Sequence, residues 1–270
     1  MNRSKLTKAE SNEFKPAKKA LGQNFLHDQN IIQRIVSSFN PKPDDVVVEI
    51  GPGRGALTDL LLQSNCHLHL IEFDYTLAEY WQNKTAEHSQ LVVHQSNVLD
   101  VDFVSLAKSN SLRVIGNLPY NISSQILISL LESHNVVTDI LAMLQLEMVD
   151  RICASPNNKT YGRLSVMLQQ RFDCEKLFKV PSGAFNPAPK VDSAIIQLVP
   201  HSRVDLNVDD SQYFAKVVKA AFAQRRKTIR NNLKGLVSAE QILELGFDPA
   251  KRAENLSVQD FVKIANNSYQ

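Results

Sequence analysis

The first half of the chain alternates short apolar runs with stretches in which apolar residues recur every three or four positions. Short apolar runs bounded by turn residues are typical of buried strands, and the longer spacing is typical of amphipathic helices. The pattern predicts strands at residues 45–50, 67–72, 90–94, 112–116 and 140–144. It predicts helices at residues 55–64, 75–87 and 123–131. Such alternation gives a mostly parallel sheet covered by helices, which is an α/β fold.

Further elements flank this alternation. Before it, apolar residues from Ile31 to Phe39 recur at helical spacing, and Asp28 can cap that helix. After it, the apolar-rich residues 193–199 predict a closing strand. The pattern from Asp209 onward is helical.

These patterns divide the chain into three parts. Residues 1–17 are polar and without period, which predicts a flexible basic tail. Residues 18–200 predict one α/β domain, and residues 201–270 predict a small α-helical domain. A chain of 270 residues is long for a single core of about 150 residues, which agrees with one large and one small domain.

Three glycines at alternate positions follow the first predicted strand: Gly51, Gly53 and Gly55. Glycine tolerates a positive φ and lets a ligand approach the main chain. A strand, a glycine turn and a helix form the nucleotide-binding crevice of a doubly wound sheet. Glu72 ends the next strand, about 20 positions after Gly51, where an acid reaches ribose hydroxyls.

The spacing of these glycines narrows the class of ligand. Dinucleotide enzymes have the spacing G-x-G-x-x-G, whereas this turn reads G-x-G-x-G and is preceded by Glu49. Pro52 also removes one main-chain donor, which suits a ligand with a ribose but no pyrophosphate. The turn looks like the first motif of methyltransferases that use S-adenosylmethionine (SAM). A dinucleotide site, or a turn that only packs helix against strand, remains an alternative for this segment alone.

Polar or glycine residues follow each of the first four predicted strands, where ligands bind in such sheets. They are Gly51, Glu72, Asn97 and Asn117. After the fourth strand, Asn117 offers an amide oxygen, Pro119 leaves the Leu118 carbonyl without a helical role, and Tyr120 offers a flat ring. Two oxygens and one aromatic face suit an exocyclic amine on a planar base. An Asx-type turn with a core tyrosine is the structural alternative.

Cations concentrate in the second half of the chain. No acid occurs from Ser211 through Ser238, but seven cations do: Lys216, Lys219, Arg225, Arg226, Lys227, Arg230 and Lys234. A helical pattern over residues 222–230 predicts Arg226 and Arg230 one turn apart. Such a strip suits phosphate contacts, and a solvated face is the alternative. Arg151 and Arg163 face either RNA or solvent.

Composition excludes several classes of protein. No run of about 18 apolar residues exists, so we expect no membrane-spanning helix. The N-terminal residues lack the apolar region of a secretory signal. Cys66, Cys153 and Cys174 fit neither zinc spacing nor a disulfide framework. We therefore expect a cytoplasmic protein with reduced thiols, no metal and no membrane partner, and we expect a monomer.

Six motifs in order make the chain resemble the ribosomal RNA adenine N6,N6-dimethyltransferases, in their bacterial small-subunit form. The resemblance runs from about Gly22 to Ala265. The motifs are Gly22-Gln23-Asn24-Phe25-Leu26, Glu49-Ile50-Gly51-Pro52-Gly53, Asn117-Leu118-Pro119-Tyr120-Asn121-Ile122-Ser123, Tyr161-Gly162-Arg163-Leu164-Ser165-Val166, Phe185-x-Pro187-x-Pro189-Lys190-Val191-Asp192-Ser193, and Gln224-Arg225-Arg226-Lys227-Thr228-Ile229-Arg230-Asn231.

The resemblance implies a Rossmann-like methyltransferase sheet with SAM as cofactor and a C-terminal helical RNA-binding domain. It implies that Tyr120 and Phe185 cover the two faces of the target base, although Phe185 taken alone reads as a hydrophobic plug. The implied cofactor-binding residues are Asn24, Leu26, Gly51, Glu72, Asn97 and Asn117. The implied catalytic residues are Asn117, Leu118, Tyr120 and Phe185. The implied RNA-binding residues are Arg225, Arg226, Lys227 and Arg230.

The resemblance changes two interpretations. Residues 18–26 have no periodicity and read as a surface loop, but the resemblance places Asn24 and Leu26 in the cofactor pocket. In Gln95-Ser96-Asn97-Val98, the family usually has Asp where this chain has Asn97. Asn also accepts through its oxygen, but its amide carries donors that need other partners.

The implied function is dimethylation of N6 of two adjacent adenosines near the 3′ end of small-subunit rRNA, within a pre-ribosomal particle. Three alternatives remain at this point. They are a large-subunit rRNA methyltransferase of the macrolide-resistance type, a ribosome-assembly factor without essential catalysis, and a dinucleotide oxidoreductase.

Overall fold

The computed structural model of the protein describes residues 23–107 and 111–268. The tail predicted at residues 1–17 lies outside the described residues, as does Gly22. The predicted division at residue 200 remains a prediction.

A seven-stranded, mostly parallel sheet forms the centre of the protein, as the alternating pattern predicts. Its strands are β2 (Val46–Ile50), β3 (His67–Glu72), β4 (Leu91–Gln95), β5 (Leu112–Asn117), β6 (Val137–Gln145), β7 (Phe172–Val180) and β9 (Ser193–Pro200), in the spatial order β4-β3-β2-β5-β6-β9-β7. Strand β9 runs antiparallel to both β6 and β7. Strands β1 (Phe25–Leu26) and β8 (Phe185–Asn186) form a separate antiparallel pair.

Helices cover the sheet and are the main regular elements of the C-terminal region. They are α1 (Gln29–Phe39), α2 (Thr58–Gln63), α3 (Tyr75–Lys84), α4 (Phe103–Ala107), α5 (Ser123–Glu132), α6 (Leu146–Ile152), α7 (Arg163–Gln169), α8 (Ser211–Ala221), α9 (Ile229–Asn232), α10 (Ala239–Glu244) and α11 (Val258–Ser268). Asp28 caps α1 as predicted, accepting from the main-chain N–H groups of Asn30 and Ile31.

Two predicted elements differ in length from the observed ones, a helix that is shorter than predicted and a strand that is longer. The predicted helix at 55–64 begins only at Thr58, because Gly51, Gly53 and Gly55 all have positive φ and keep the chain in a turn. Strand β6 is longer than the predicted 140–144, because β5 and β9 pair with it on both sides. The sequence pattern did not indicate β7, whose exposed face carries charged residues.

The apolar core consists of two clusters. One contains Ile35, Leu68 and Trp81, and it packs α1, α2 and α3 against the sheet. The other contains Val114 and also Phe214 and residues of α11. The helical C-terminal region therefore shares one continuous apolar cluster with the sheet.

The predicted helical strip of arginines is wrong. Helix α8 ends at Ala221, Arg226 lies in a turn, and Arg230 lies on the separate helix α9. The chain leaves the helix because Thr228 forms an antiparallel bridge with Arg252, and other main-chain bonds hold α9 to the segment 249–251. Pairing with a distant segment thus replaces the local helical hydrogen bonds.

Candidate active site

A cavity of about 320 Å³ opens at the carboxyl ends of β2, β3 and β5. Parallel strands of an α/β sheet place their ligands at this edge. The cavity is lined by all the predicted cofactor-binding residues and by three of the four predicted catalytic residues, namely Asn24, Leu26, Gly51, Glu72, Asn97, Asn117, Leu118 and Tyr120. The structure brings these residues together, but it does not bring Phe185 to the cavity wall.

The glycine turn forms the floor of the cavity. Gly51 and Gly55 have φ values of 68° and 90°, which favour glycine. A Cβ atom on Gly55 would lie 2.6 Å from the ring of Trp81. The indole N–H of Trp81 donates to the carbonyl of Gly53 at 3.0 Å. Helix α3 therefore holds the turn in place from behind.

Glu72 ends β3 and is 7% exposed. One carboxylate oxygen accepts from the main-chain N–H of Asp74 at 2.8 Å, and the other accepts from the N–H of Gly53 at 3.2 Å. Burial raises the pKa of Glu72, against the lowering effect of these two bonds. A carboxylate oxygen can accept more than one hydrogen bond. Each oxygen of Glu72 can therefore accept a further bond from a ligand hydroxyl.

Glu49 is a buried acid of the cavity wall, to which the sequence motif assigns no role of its own. It is 2% exposed on β2, and the Thr58 hydroxyl donates to it at 2.7 Å. Burial raises the pKa of Glu49 to about 8, so the acid is mostly neutral at pH 7. A single acid inside an otherwise apolar strand was the signal that marked it, because a buried carboxyl needs a partner or a function.

Residues 23–26 cross one side of the cavity as a wall rather than as a surface loop. The side-chain amide of Gln23 donates to Asp74 at 3.1 Å. The Arg54 guanidinium lies 4.3 Å from the centre of the Phe25 ring. Leu26 is buried and pairs with Phe185. The alternative of a free loop is therefore wrong for the described residues of this segment.

Asn97 caps a short 3₁₀ turn directly after β4. Its side-chain oxygen accepts from the main-chain N–H of Leu99 at 3.2 Å. Asp would make the same cap through one oxygen and keep a second oxygen for the cavity. In this chain, the group beside the capping oxygen is the NH₂ of an amide.

The segment after β5 presents acceptors to the cavity. The side-chain NH₂ of Asn117 donates to the main-chain carbonyl of Asn24 at 3.1 Å, which leaves its oxygen as an acceptor. The main-chain N–H of Leu118 donates to the carbonyl of Met143 at 3.2 Å, while the Leu118 side chain is buried. No hydrogen bond from residues 23–107 or 111–268 reaches the Leu118 carbonyl.

Tyr120 lines the cavity beside these acceptors. Its hydroxyl lies 2.6 Å from the hydroxyl of Ser193 on β9. Burial raises the pKa of Tyr120, so the phenol stays neutral at pH 7. The alternative of an Asx-type turn with a core tyrosine does not fit, because Asn117 bonds across to another segment and the half-buried Tyr120 lines the cavity.

Phe185 does not occupy the position predicted for it. The Phe185 ring is 3% exposed and belongs to an apolar cluster. It is buried there because Phe185 on β8 pairs with Leu26 on β1. In this conformation the structure agrees with the plug interpretation. The role of Phe185 opposite Tyr120 stays a prediction.

The predicted RNA-binding residues lie on the surface, but they differ in their contacts. Arg225 donates to the carbonyl of Lys159 and pairs with Glu254 at 3.4 Å. Arg226, Lys227 and Arg230 are exposed. Arg151 pairs with Glu147 at 2.8 Å on the same helix, which agrees with a solvated position.

Two negative findings apply to residues 23–107 and 111–268. No group of three His, Cys, Asp or Glu side chains there could hold a metal ion. No helix there is long and apolar enough to cross a membrane.

Comparison with solved structures supports the fold. A dimethyladenosine transferase from Plasmodium falciparum superposes with a TM-score of 0.74 at 24% identity, over 89% of this chain and 95% of the other. The 23S rRNA methyltransferase ErmE superposes with a TM-score of 0.68 at 24% identity, over 92% of this chain and 100% of the other. The α/β architecture is therefore the Rossmann-like fold of such methyltransferases, as predicted.

Comparison with known sequences identifies the family. Ribosomal RNA small subunit methyltransferase A of Chromobacterium violaceum is 47% identical over 252 residues, 93% of this chain and 95% of the relative. The protein of that name from Marinobacter nauticus is 44% identical over 250 residues, 93% of this chain and 91% of the relative. The profile of the family described as ribosomal RNA adenine dimethylase matches residues 14–270. The chain is thus an rRNA methyltransferase, and it belongs to the ribosomal RNA adenine dimethylase family.

Proposed function

We propose that this protein uses SAM to dimethylate N6 of two adjacent adenosines near the 3′ end of small-subunit rRNA. The observation that carries the proposal is the pair of acceptors after β5, the Asn117 oxygen and the Leu118 carbonyl, in the same cavity as Glu72. An exocyclic amine with two N–H groups is the ligand group that such a pair suits. The sequences that are 44% and 47% identical support the small subunit as substrate.

The residues present fit SAM. Glu72 retains acceptor capacity for two ribose hydroxyls, and Gly51 brings the main chain to the cavity without a side chain. Gly51 would face the methionine part and Asn97 the adenine, and Asn24 and Leu26 would line the cofactor pocket. When bound, SAM supplies an electrophilic methyl group on a positively charged sulfur.

The chain's own residues then position the target amine. The nitrogen of an adenine amine is a poor nucleophile, because its lone pair is conjugated with the ring. Hydrogen bonds to the Asn117 oxygen and the Leu118 carbonyl hold the N–H groups and favour a pyramidal nitrogen. This is catalysis by positioning and electrostatics, without a nucleophilic residue of the protein.

The target base must leave its stack to reach these acceptors. The ring of Tyr120 lines the cavity and offers a stacking surface for that base. The exposed Arg226, Lys227 and Arg230 provide phosphate contacts to the surrounding RNA. We further propose that the protein acts as a cytoplasmic monomer on a pre-ribosomal particle.

The test is methylation by the purified protein with labelled SAM. The substrates are small-subunit and large-subunit particles from cells that lack the modification. The modified nucleotides are mapped after the reaction. We expect two adjacent dimethyladenosines in small-subunit rRNA only. Label in the large-subunit RNA would favour the macrolide-resistance type of activity. Particle binding without transfer would favour an assembly factor.

A further inference from the structure

Ser193 on β9 lies directly behind the cavity, and its hydroxyl is 2.6 Å from the hydroxyl of Tyr120. We propose that Ser193 is a positioning residue, which holds the Tyr120 ring in the orientation that receives the target base. The inference rests on the proposed function, because it assigns Tyr120 to the base. Ser193 itself is fully buried and does not line the cavity.

The position of Ser193 is rigid. It pairs with Gln145 of β6 on one side and with Val180 of β7 on the other. The preceding residue, Asp192, accepts at its carbonyl from the main-chain N–H of Leu146 at 3.0 Å. Main-chain pairing on both sides restrains Ser193, so its hydroxyl is a well-fixed partner for a neighbouring side chain.

Tyr120, in contrast, lies in the connection between β5 and α5. Its carbonyl accepts from the Ser123 hydroxyl at 3.2 Å, which anchors the main chain but not the ring. Among the residues that the structure describes, Ser193 is the hydrogen-bond partner of the Tyr120 hydroxyl. The rotation of the ring is therefore limited at its far end by Ser193.

The same pair of strands anchors both parts of the amine site. Leu118 is held through the carbonyl of Met143 on β6, and Tyr120 is held through Ser193 on β9. Strands β6 and β9 are paired, with Met143 opposite Ile195. Their register therefore sets the spacing between the acceptor after β5 and the ring that supports the base.

A loosely held ring would affect the two methyl transfers unequally. In the first transfer, the amine has two N–H groups, so it can donate to the acceptors even when the base is rotated somewhat from its best orientation. In the second, a monomethylamine has one N–H group left, so its placement depends more on the orientation of the base. Loss of the Ser193 hydroxyl should therefore slow both transfers and increase the monomethyl fraction of the product.

The test compares Ser193→Ala, Tyr120→Phe and the double variant with the unaltered protein on small-subunit particles. The matched control is Ser165→Ala, which removes another buried serine hydroxyl, bonded to the carbonyl of Arg151. We expect Ser193→Ala to lower kcat about 10-fold, which is less than the 10²-fold that a misplacement of about 1 Å can cost. KM should change little, because the lost contact acts on the chemical step, and the monomethyl fraction should rise. Tyr120→Phe should show the same loss of kcat and the same rise of monomethyl product. The double variant should lose no more kcat than either single variant.

Three results would overturn the inference. One is a normal kcat and product ratio for Ser193→Ala. The second is additive losses in the double variant, since a shared hydrogen bond is lost only once. The third is an equal rise of monomethyl product in Ser165→Ala, which would indicate general loosening. If Ser193→Ala does not fold, Tyr120→Phe tests the same bond from its other end. Failure of the unaltered protein to methylate any particle would contradict the proposed function itself.

Discussion

The side-chain NH₂ of Asn117 donates a hydrogen bond to the main-chain carbonyl of Asn24, across 3.1 Å. This bond joins the end of β5 to the segment that forms one cavity wall. The bond uses the NH₂ group of the Asn117 amide, so the side-chain oxygen remains available as an acceptor. The acceptor is therefore oriented before any substrate binds.

The first prediction follows from that orientation. The Asn117 oxygen binds the target amine more strongly as its nitrogen becomes tetrahedral, so the interaction acts mainly in the transition state. Asn117→Ala should lower kcat on the order of 10²-fold, the scale for one preorganised electrostatic contact, while KM changes little. Single-turnover methylation of small-subunit particles measures this. A near-normal rate would mean that another group holds the amine.

Asn117→Asp is the informative companion variant. It keeps an acceptor of the same size, but it cannot donate to the Asn24 carbonyl. We expect a loss of kcat here as well, because a carboxylate beside a carbonyl oxygen is repelled from this position. If Asn117→Asp retained full activity, the bond to Asn24 would have no part in orienting the acceptor.

The second prediction concerns Glu72. Its carboxylate should accept from both ribose hydroxyls, so Glu72→Ala should weaken SAM binding by about 1.5–3 kcal/mol, the range for hydrogen bonds to a charged group. Calorimetric titration measures the affinity. Glu79→Ala, an exposed acid on α3, serves as the control and should leave binding unchanged. Equal affinity of a folded Glu72→Ala protein would remove Glu72 from the cofactor site.

The third prediction concerns Asn97. Its oxygen already caps the turn at Leu99, so an amide NH₂ stands where Asp would offer a second oxygen. Asn97→Asp should keep the cap and accept from the adenine amine, which tightens SAM binding by about 1.5 kcal/mol. The same calorimetric titration checks this. Unchanged or weaker binding would mean that the adenine amine is bound elsewhere.

The fourth prediction concerns Arg226 and Arg230. Replacing both with Ala should weaken binding to small-subunit RNA and reduce the slope of log affinity against log salt by roughly 0.7–0.9 per lost phosphate contact. SAM affinity should not change. Lys216→Ala with Lys219→Ala removes equal charge from the exposed side of α8 and is the control. Equal slopes for the two double variants would indicate only a general effect of charge.

The fifth prediction concerns pH and Glu49, whose pKa burial raises to about 8. The folded protein then keeps a proton that the unfolded chain releases above its ordinary pKa near 4.3. The contribution to stability is full below that pH and is lost as pH rises towards 8, by up to about 1.4 kcal/mol per pH unit. Burial of Glu72 acts in the same direction.

Urea unfolding between pH 5.5 and 7.5 measures this dependence. The difference between the unaltered protein and Glu49→Gln isolates the contribution of Glu49, because Gln keeps a neutral side chain of the same size. We expect a shallower decline of stability with pH in Glu49→Gln. Glu79→Gln should follow the unaltered protein, and identical slopes in all three would contradict the raised pKa.

The sequence by itself determined the parallel part of the sheet and the polar residues that meet at its carboxyl edge. The strand predicted at 67–72 has the observed bounds, because its apolar periodicity depends on residues only a few positions apart. Parallel strands end at one edge, so the polar residues that follow them converge whatever the details of packing. Glu72, Asn97 and Asn117 therefore meet in one cavity, as predicted.

Only the tertiary structure decided the features that join distant segments. The pairing of Thr228 with Arg252 ended the helix that a local pattern predicted for Arg226 and Arg230. The pairing of β1 with β8 buried Phe185, which the family resemblance placed beside the base. Tyr120 meets Ser193 across 73 positions of sequence. Such contacts depend on which surfaces pack together, and local periodicity contains no information about that choice.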